Sequence, residues 1–222
     1  MHEAGGFVIW GSSGHGKVIA DVLVFRGERV VALVDNDPRA APIVPGVPLL
    51  HGEAGLRAWL ATPQGSGARR GAVAIGGSRG PDHREIAALL RGLGMELPAL
   101  VHPTASMSPS AEVADASHVL ANAVVAAGSR IGRSCIVNNG AVVDHECMLS
   151  AGVHVAPGAV LCGCVEVGED AMIGAGATVL PRIRVGRGAV VGAGATVTHD
   201  VPEGCTVVGS PARPVERRGG PQ

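Results

Sequence analysis

The chain has 222 residues and a nearly balanced charge, with 18 lysines and arginines against 19 aspartates and glutamates. This balance excludes the extended basic surface that nucleic acids and anionic membranes require, and no apolar run free of charge, Pro and Gly is long enough to span a bilayer. The first residues, MHEAGGFVIWG, lack a basic segment followed by an apolar one, so we expect a cytoplasmic protein without an export signal.

Residues 7 to about 100 alternate between strand-like and helix-like segments. The first predicted strand is Phe7–Trp10, and residues 18–23 then place apolar side chains at helical spacing. Further strands are predicted over 29–34, 72–75 and 97–101, and further helices over 53–60 and 82–93. This alternation predicts a small parallel α/β sheet, in which ligands bind beyond the carboxyl ends of the strands.

The first predicted strand runs into a glycine-rich turn, Gly11-Ser-Ser-Gly-His-Gly-Lys17, before the first helix. Such a turn lets the backbone approach a phosphate, whose charge is stabilised by free N–H groups at the helix start. Its GxxGxG spacing differs from the dinucleotide fingerprint, so a tight turn that binds nothing is the alternative. Because Asp35 ends the second strand, where an acidic side chain would meet a ribose or base, we favour a nucleotide-bearing ligand.

From Val101 to Val197 every sixth residue is apolar, over seventeen positions without a change of register. A set of mostly small residues follows four positions after each of these and includes Cys135 and Cys147. A strict short period is typical of a solenoid, and a period of six fits neither a helix nor a two-sided sheet. We predict that three hexads form one triangular coil, that coils stack at about 4.8 Å, and that all five cysteines are reduced thiols.

His145 is the strongest candidate for a catalytic residue in the repeat region. It lies two positions after Val143, at a predicted turn, so its imidazole should point outward between the carboxylates of Asp144 and Glu146. Neighbouring negative charge raises the basicity of an imidazole, which suits a general base, and a solvated surface histidine is the alternative.

Other candidates share the faces of the predicted column. Gly163 follows His145 by eighteen residues, which is one full coil. His154 lies between them, and a role in function and a place on the solenoid surface are equally compatible with its position. Ala175 and Ala193 are also eighteen apart and would leave backbone groups open to an extended ligand, although turns of this kind favour small residues in any case.

The order of four motifs resembles a known family. The segments GSSGHGK at 11–17, the hexapeptide region, DHEC at 144–147 and VVGSPAR at 207–213 together are similar to the bacterial sugar O-/N-acyltransferases, and most similar to UDP-4-amino-sugar N-acetyltransferases, whose relatives include sialic acid O-acetyltransferases. The resemblance implies a Rossmann-like nucleotide-sugar-binding domain over 1–100 and a left-handed parallel β-helix with a C-terminal tail over 101–222. It also implies a homotrimer with active sites between adjacent β-helices, acetyl-CoA as co-substrate, and neither a metal nor a permanently bound cofactor.

By the same resemblance, His145 matches the general base that takes a proton from the sugar amine, and Glu146 matches the residue that raises its basicity. Asn138 is a further expected sugar contact. The positions that match nucleotide-sugar contacts are Ser13, Gly14, His15, Asp35, Asn36 and Gly76. The positions that match the acetyl-CoA groove are His154, Gly163, Ala175 and Ala193.

The expected reaction is direct attack of the amine of a nucleotide-linked 4-amino-4,6-dideoxy sugar on the thioester carbonyl, with no covalent intermediate on the enzyme. Sugar or sialic acid O-acetylation is the nearest alternative. A hydratase of the γ carbonic anhydrase type would need three convergent histidines, yet His118 and His154 are two coils apart. An NAD-dependent oxidoreductase would explain only the first domain, and a purely structural trimer would need no outward histidine. The nucleotide base and the sugar stay open.

Overall fold

The computed structural model describes residues 6–215, so the predicted domain ends at 1–5 and 216–222 lie outside the described residues. The N-terminal part contains strands β1 (Phe7–Trp10), β2 (Val30–Asp35), β3 (Leu49–His51) and β4 (Arg70–Val73), and helices α1 (Gly14–Phe25), α2 (Gly52–Leu60) and α3 (Gly80–Gly92). The four strands are parallel in the order β3-β2-β1-β4. This arrangement confirms the predicted parallel α/β sheet and adds β3.

The strand predicted over 97–101 does not join that sheet, and this prediction was wrong. Leu100–Val101 pairs instead with His118–Val119 in the repeat region, and only Glu96 makes an isolated bridge to Arg70 of β4. Pro98 lies between these two contacts and has no N–H to donate to a ladder of hydrogen bonds. The chain therefore leaves the α/β sheet at Pro98 and enters the solenoid directly.

The solenoid consists of two-residue strands, each of which ends on one residue of the six-residue period. They are β5 (Leu100–Val101), β6 (Ser106–Met107), β7 (Glu112–Val113), β8 (His118–Val119), β9 (Val124–Val125), β10 (Arg130–Ile131), β11 (Ile136–Val137), β12 (Val142–Val143), β13 (Met148–Leu149), β14 (His154–Val155), β15 (Val160–Leu161), β16 (Glu166–Val167), β17 (Met172–Ile173), β18 (Thr178–Val179), β19 (Arg184–Val185), β20 (Val190–Val191) and β21 (Thr196–Val197), followed by β22 (Thr206–Val208) and β23 (Arg213–Pro214).

Each solenoid strand from β5 to β18 pairs in parallel with the strand eighteen residues further on. Beyond this range, β19 makes only a single bridge, from Val185 to Val201. The result is three sheets that run the length of the column. Three hexads therefore make one coil, as predicted. The interior is aliphatic, and the inward Cys135 and Cys147 are fully buried, which raises the pKa of their thiols to about 12 and about 11.

The turns of the column are as regular as its strands. Every sixth residue from Ala116 to Gly194 has a positive φ, and seven of these positions carry a side chain rather than glycine. Two of the seven are Glu146 (φ 56°) and Cys164 (φ 61°), which occupy equivalent turns one coil apart. A left-handed residue at each turn sets the direction in which the neighbouring side chains leave the column.

One of the three sheets is built from β5, β8, β11, β14, β17, β20, β22 and β23, and we call it the docking face. The N-terminal domain packs against its first strands, from β5 to β14. Outward side chains of this face, Leu120 and Ile136, share a core with Phe7 and Ile9 of β1. The edge of the column opposite the docking face, where the chain turns at 126–128, 144–146, 162–164 and 180–182 between the other two sheets, is called the free edge. None of the helices between residues 6 and 215 is long and apolar enough to cross a membrane.

An ion pair fixes the two domains at one side of the docking face. Arg84 of α3 donates two hydrogen bonds to Asp170, from Nε to Oδ1 at 2.9 Å and from Nη2 to Oδ2 at 2.6 Å. Its Nη1 also lies 2.5 Å from Glu169 Oε1. The Asp170 side chain is only 9% exposed. The two hydrogen bonds from Arg84 offset the free-energy cost of removing this carboxylate from water.

Candidate active site

An open cleft of about 500 Å³ lies at the carboxyl ends of β1, β2 and β4. It gathers five of the six residues predicted to contact the nucleotide sugar, namely Ser13, His15, Asp35, Asn36 and Gly76. The sixth, Gly14, is exposed at the first position of α1. Carboxyl ends of parallel strands meet at one edge of a sheet, which is why residues far apart in the sequence converge there.

The glycine-rich turn has the close packing that a phosphate-binding backbone requires. Gly11 has a φ of 117°, and a β-carbon there would lie 2.6 Å from the carbonyl oxygen of Ala74. A β-carbon at Gly16 would overlap the Gly11 carbonyl, whereas one at Gly14 would meet nothing within 4 Å. The side chain of Ser13 does not cap α1, and the first turn carries no acidic residue. The N–H groups at the helix start are therefore open to an anion.

Asp35 shapes this cleft through its own hydrogen bonds. Its Oδ2 accepts the backbone N–H of Ser12 at 2.7 Å, and its Oδ1 accepts that of Asp37 at 2.9 Å. The carboxylate thus holds the glycine-rich turn against the end of β2, a role that its place in the sequence did not indicate. Contact with a ribose or base stays a prediction, which the remaining lone pairs of the carboxylate permit.

Two further charged side chains line the cleft and were missed at the sequence level. Asp37 accepts hydrogen bonds from Arg39, and these bonds lower the pKa of its carboxyl group. Arg79 lies at the opposite wall, with its Nε 2.6 Å from Asp82 Oδ2. A basic residue three positions after Gly76, just beyond a strand end, was the available signal for Arg79.

His15 lines the cleft and belongs to a buried histidine cluster, defined as His15, His83, His118 and His154. The ring centroids of His15 and His118 are 5.8 Å apart, and those of His83 and His118 are 5.5 Å apart. Burial, with smaller contributions from neighbouring histidines, lowers the pKa of His15 and of His83 to about 4. Burial also holds the pKa of His118 well below 6.5, so the cluster is neutral at pH 7.

Asn138 and His154 link the docking face to the N-terminal domain. Asn138 Oδ1 accepts the N–H of Asn139 at 2.8 Å, which leaves its Nδ2 to donate to His154 Nε2 at 3.1 Å. Nδ1 of His154 lies 3.0 Å from the nitrogen and 3.1 Å from the oxygen of Gly77. Nε2 faces the Asn138 amide, and Nδ1 faces both the N–H and the carbonyl oxygen of Gly77. Both residues are therefore occupied within the chain, and their predicted ligand contacts remain predictions.

His145 lies on the free edge, at the turn after β12, with its side chain 55% exposed. Its Nδ1 is 3.1 Å from Asp144 Oδ1, which also accepts the backbone N–H of His145 at 2.7 Å. These two bonds lower the pKa of the Asp144 carboxyl group. A neutral ring that donates Nδ1–H to Asp144 presents its lone pair on Nε2, as a general base requires.

Glu146 points to a different neighbour. The Cys164 thiol, one coil further on, donates to Glu146 Oε2 at 3.3 Å, and this bond raises the pKa of Cys164. The carboxylate in direct contact with the imidazole is thus that of Asp144, which was named only as a flanking residue at the sequence level. The assignment of Glu146 as the residue that raises basicity remains a prediction.

The four residues predicted to line the acetyl-CoA groove lie on three parts of the column. Gly163 is on the free edge, directly beneath the ring of His145. Ala175 and Ala193 are exposed on another edge, between the docking face and the sheet of β12. His154 is buried on the docking face. A single chain therefore brings His145 together with Gly163 but not with the two alanines.

A glycine-rich nucleotide cleft joined to a hexapeptide-repeat column defines a class of sugar acyltransferase, and comparisons with known proteins agree. The family model described as the PglD N-terminal domain matches residues 7–79, and that described as bacterial transferase hexapeptide (six repeats) matches residues 164–199. Among curated protein sequences, none matches the chain significantly.

Solved structures extend this likeness over nearly the whole chain. PerB from Caulobacter crescentus, in complex with CoA and GDP-perosamine, is 38% identical with a TM-score of 0.88, over 96% of this chain and 98% of that one. The acetyltransferase domain of PglB from Neisseria gonorrhoeae FA1090, in complex with acetyl coenzyme A, is 38% identical with a TM-score of 0.83, over 95% and 98%. WeeI from Acinetobacter baumannii AYE is 26% identical with a TM-score of 0.83, over 95% and 99%.

The chain therefore belongs to the family of bacterial nucleotide amino-sugar N-acetyltransferases, whose repeats form a left-handed parallel β-helix.

Proposed function

We propose that this protein transfers an acetyl group from acetyl-CoA to the amine of a nucleotide-linked 4-amino-4,6-dideoxy sugar. Residues 1–100 form the nucleotide-sugar-binding domain in this proposal, and residues 101–222 form the acetyltransferase domain. The cleft beside the start of α1 has the open N–H groups that a diphosphate needs, and the free edge carries an imidazole with an available lone pair. The cleft and the imidazole are the two halves of an acyl-transfer site.

The observation that carries the proposal is the separation of these halves within one chain. The N-terminal domain packs against the first strands of the docking face, and His145 lies on the edge opposite that face. A sugar bound in the cleft of one chain is therefore on the wrong side of the column for the imidazole of the same chain. We propose a homotrimer in which the free edge of one subunit faces the cleft of its neighbour, with Ala175 and Ala193 beside it.

The proposed reaction needs no covalent intermediate on the protein. His145 Nε2 takes a proton from the sugar amine while the nitrogen attacks the thioester carbonyl, and the Asp144 carboxylate stabilises the resulting imidazolium. The new C–N bond forms, the tetrahedral oxyanion collapses with cleavage of the C–S bond, and the coenzyme A thiolate recovers the proton from His145. Cys147 is no competing nucleophile, because burial raises the pKa of its thiol to about 11.

The bound substrates account for the remaining predicted residues. Gly163, Ala175 and Ala193 leave backbone groups accessible along the path proposed for the acetyl-CoA pantetheine arm, with His154 behind it. Glu146 adds a second carboxylate near His145. We also propose a cytoplasmic location, which is supported by five unpaired cysteines.

Release of coenzyme A, measured across GDP-, UDP- and dTDP-linked amino sugars, tests the activity and identifies the nucleotide. Hydroxyl analogues of the same sugars test the alternative of O-acetylation. We expect turnover with amino sugars only, and we expect His145→Ala to lose most of it while retaining acetyl-CoA affinity. His199→Ala, an exposed histidine elsewhere on the column, is the control. Unchanged turnover in His145→Ala would refute the base assignment.

Mixed oligomers test the placement of the site between subunits. His145→Ala subunits and Asp35→Ala subunits are each expected to be inactive alone. If the cleft and the imidazole of one site come from different chains, random mixing restores about a quarter of the wild-type activity, because one site in four then has both halves intact. No recovery after verified subunit exchange would place the whole site in one chain.

The hydratase alternative is not favoured by the geometry. His118 is buried in the histidine cluster, and both ring nitrogens of His154 are hydrogen-bonded within the chain. These two histidines also lie two coils apart on the docking face. They do not present an open metal centre to a small substrate.

A further inference from the structure

Three potential metal ligands converge on the free edge. A ring nitrogen of His145, a carboxylate oxygen of Glu146 and the sulfur of Cys164 all lie within 4.8 Å of one another. Imidazole, carboxylate and thiolate are the three side-chain groups that bind Zn²⁺ in proteins. Donor atoms bound to one tetrahedral zinc ion are separated by about 3.3–3.7 Å, so small side-chain rotations would complete the set.

The backbone holds these three residues in a fixed relationship. The N–H of Cys164 donates to the carbonyl of His145 at 2.9 Å, so the two turns are hydrogen-bonded across one coil. Glu146 and Cys164 share the same left-handed turn position, and the Cys164 thiol already donates to the Glu146 carboxylate. Asp144 holds Nδ1 of the ring, an arrangement typical of metal-binding histidines, which leaves Nε2 free.

We propose that the free edge binds Zn²⁺ through His145, Glu146 and Cys164, and that bound zinc reversibly inhibits acetyl transfer. Water completes a four-coordinate centre. Binding replaces the proton on the Cys164 sulfur with the metal, so one proton is released for each zinc ion bound. The inhibitory part rests on the proposed function, because zinc occupies the lone pair with which His145 takes the proton from the amine.

Substitution of Cys164 allows the metal site to be tested independently of the proposed reaction. This residue has no role in the acetyl-transfer mechanism, whereas His145 and Glu146 do. Cys164→Ser should fold normally, because Ser134 occupies the equivalent left-handed turn position with a φ of 58°. Cys162→Ser is the matched control, since Cys162 is a neighbouring, partly exposed thiol outside the converging set.

Direct binding is measured first, with the full-length protein and the metal alone. Competition against a chromophoric zinc chelator should give one zinc ion per chain for the wild type and for Cys162→Ser. Cys164→Ser should bind zinc about tenfold or more weakly, because a serine hydroxyl is a poorer zinc ligand than a cysteine thiolate. Cobalt(II) should give a thiolate charge-transfer band in the wild type that is absent in Cys164→Ser. Equal zinc affinity in the wild type and Cys164→Ser would overturn the proposed site.

Inhibition is measured second, in the coenzyme A release assay. Zinc should inhibit the wild type and Cys162→Ser, a chelator should restore activity, and Cys164→Ser should resist zinc with its basal turnover unchanged. Zinc that binds at Cys164 without inhibiting would retain the site and overturn its effect on transfer. If no sugar were acetylated at all, the proposed function would fail, while the zinc and cobalt measurements would still decide the metal site.

Discussion

The imidazole of His145 lies directly over Gly163, the residue one coil further along the free edge. An ideal β-carbon at residue 163 would overlap this ring and would lie 2.5 Å from its Nε2. Only glycine therefore leaves room for the imidazole in its observed position. The ring is exposed and can rotate away. A larger residue at position 163 would therefore change the orientation of the ring and leave the core of the column unaffected.

Gly163→Ala is expected to lower kcat by about tenfold or more, because the general base proposed at His145 would lose its alignment with the amine. The melting temperature should change little. Gly92→Ala is a matched control, since a β-carbon there would meet nothing within 4 Å. Wild-type kcat in Gly163→Ala would contradict the importance of this contact, and a large fall in melting temperature would show that the packing extends beyond the ring.

The two carboxylates beside His145 should differ in importance. Asp144 contacts Nδ1 of the ring, whereas Glu146 accepts the thiol of Cys164. We expect Asp144→Asn to reduce kcat by about tenfold to a hundredfold, because the ring loses the charge that stabilises the imidazolium. Glu146→Gln should have the smaller effect. The reverse order in steady-state kinetics would assign the support of the base to Glu146.

Gly14→Ala tests the phosphate-binding turn without disturbing its packing. A β-carbon at residue 14 points into open space, so the protein should fold as the wild type does. It would stand where the substrate diphosphate is proposed to approach the start of α1, so the KM for the nucleotide sugar should rise by about tenfold while the KM for acetyl-CoA stays the same. Gly16→Ala is the contrasting variant and should be destabilised. An unchanged nucleotide-sugar KM in Gly14→Ala would show that the diphosphate binds elsewhere.

The buried histidine cluster should make folding sensitive to acid. The pKa of His15 and of His83 falls from 6.5 to about 4 on folding, so the unfolded chain binds protons more readily than the native one. The contribution of these neutral rings to the free energy of unfolding is fully present above pH 6.5 and is lost as the pH falls toward 4, by at most about 3.5 kcal/mol for each histidine. Urea unfolding at pH 7 and pH 5 measures the loss.

His118→Leu supplies the matched variant for this experiment. Its pKa is also lowered by burial, and leucine fills the site without a titrating group. The stability of His118→Leu should therefore fall less between pH 7 and pH 5 than that of the wild type. His199→Ala, which removes an exposed histidine, should leave the pH dependence as it is. Identical pH dependence in His118→Leu and the wild type would exclude His118 as a contributor to it.

Arg84→Ala should weaken the docking of the N-terminal domain. The variant leaves the Asp170 carboxylate, which is 9% exposed, without its bidentate partner, and we expect a loss of about 2 kcal/mol of unfolding free energy. Arg57→Ala removes an exposed ion pair with Glu53 and should cost less than about 0.5 kcal/mol. Equal urea midpoints for the two variants would show that the Arg84 pair contributes no more than a surface contact.

The repeat region could be predicted from the sequence because its period is enforced locally. Each residue from Val119 to Val197 on the six-residue spacing packs against its own neighbours eighteen residues away, so the pattern and the structure share one repeat. The strand composition of the α/β sheet was less clearly predicted by the sequence. The segment 97–101 has the composition of a strand of either sheet, and the contact at β8 decides which one it joins.

The details of the candidate site depend on geometry that sequence spacing does not contain. Asp144 and Glu146 are each one residue from His145, but the left-handed φ of Glu146 directs its side chain toward Cys164. The histidine cluster has no signal in the sequence either. His15 and His118 are brought together only when the N-terminal domain docks on the column. Position in the chain was enough to find the imidazole of His145 but not its partner.

The regular spacing of the coils also fixes how far apart residues lie along the axis of the column. Its height grows in whole steps of about 4.8 Å, one for every eighteen residues, so the distance along the column axis between the cleft and the free edge changes only in such steps. Loss of one such unit between β8 and β12 would move His145 by a full step while leaving its immediate surroundings intact. Changing the number of coils is thus a route to altered reach in this architecture, and one that requires no new side chain at the reacting centre.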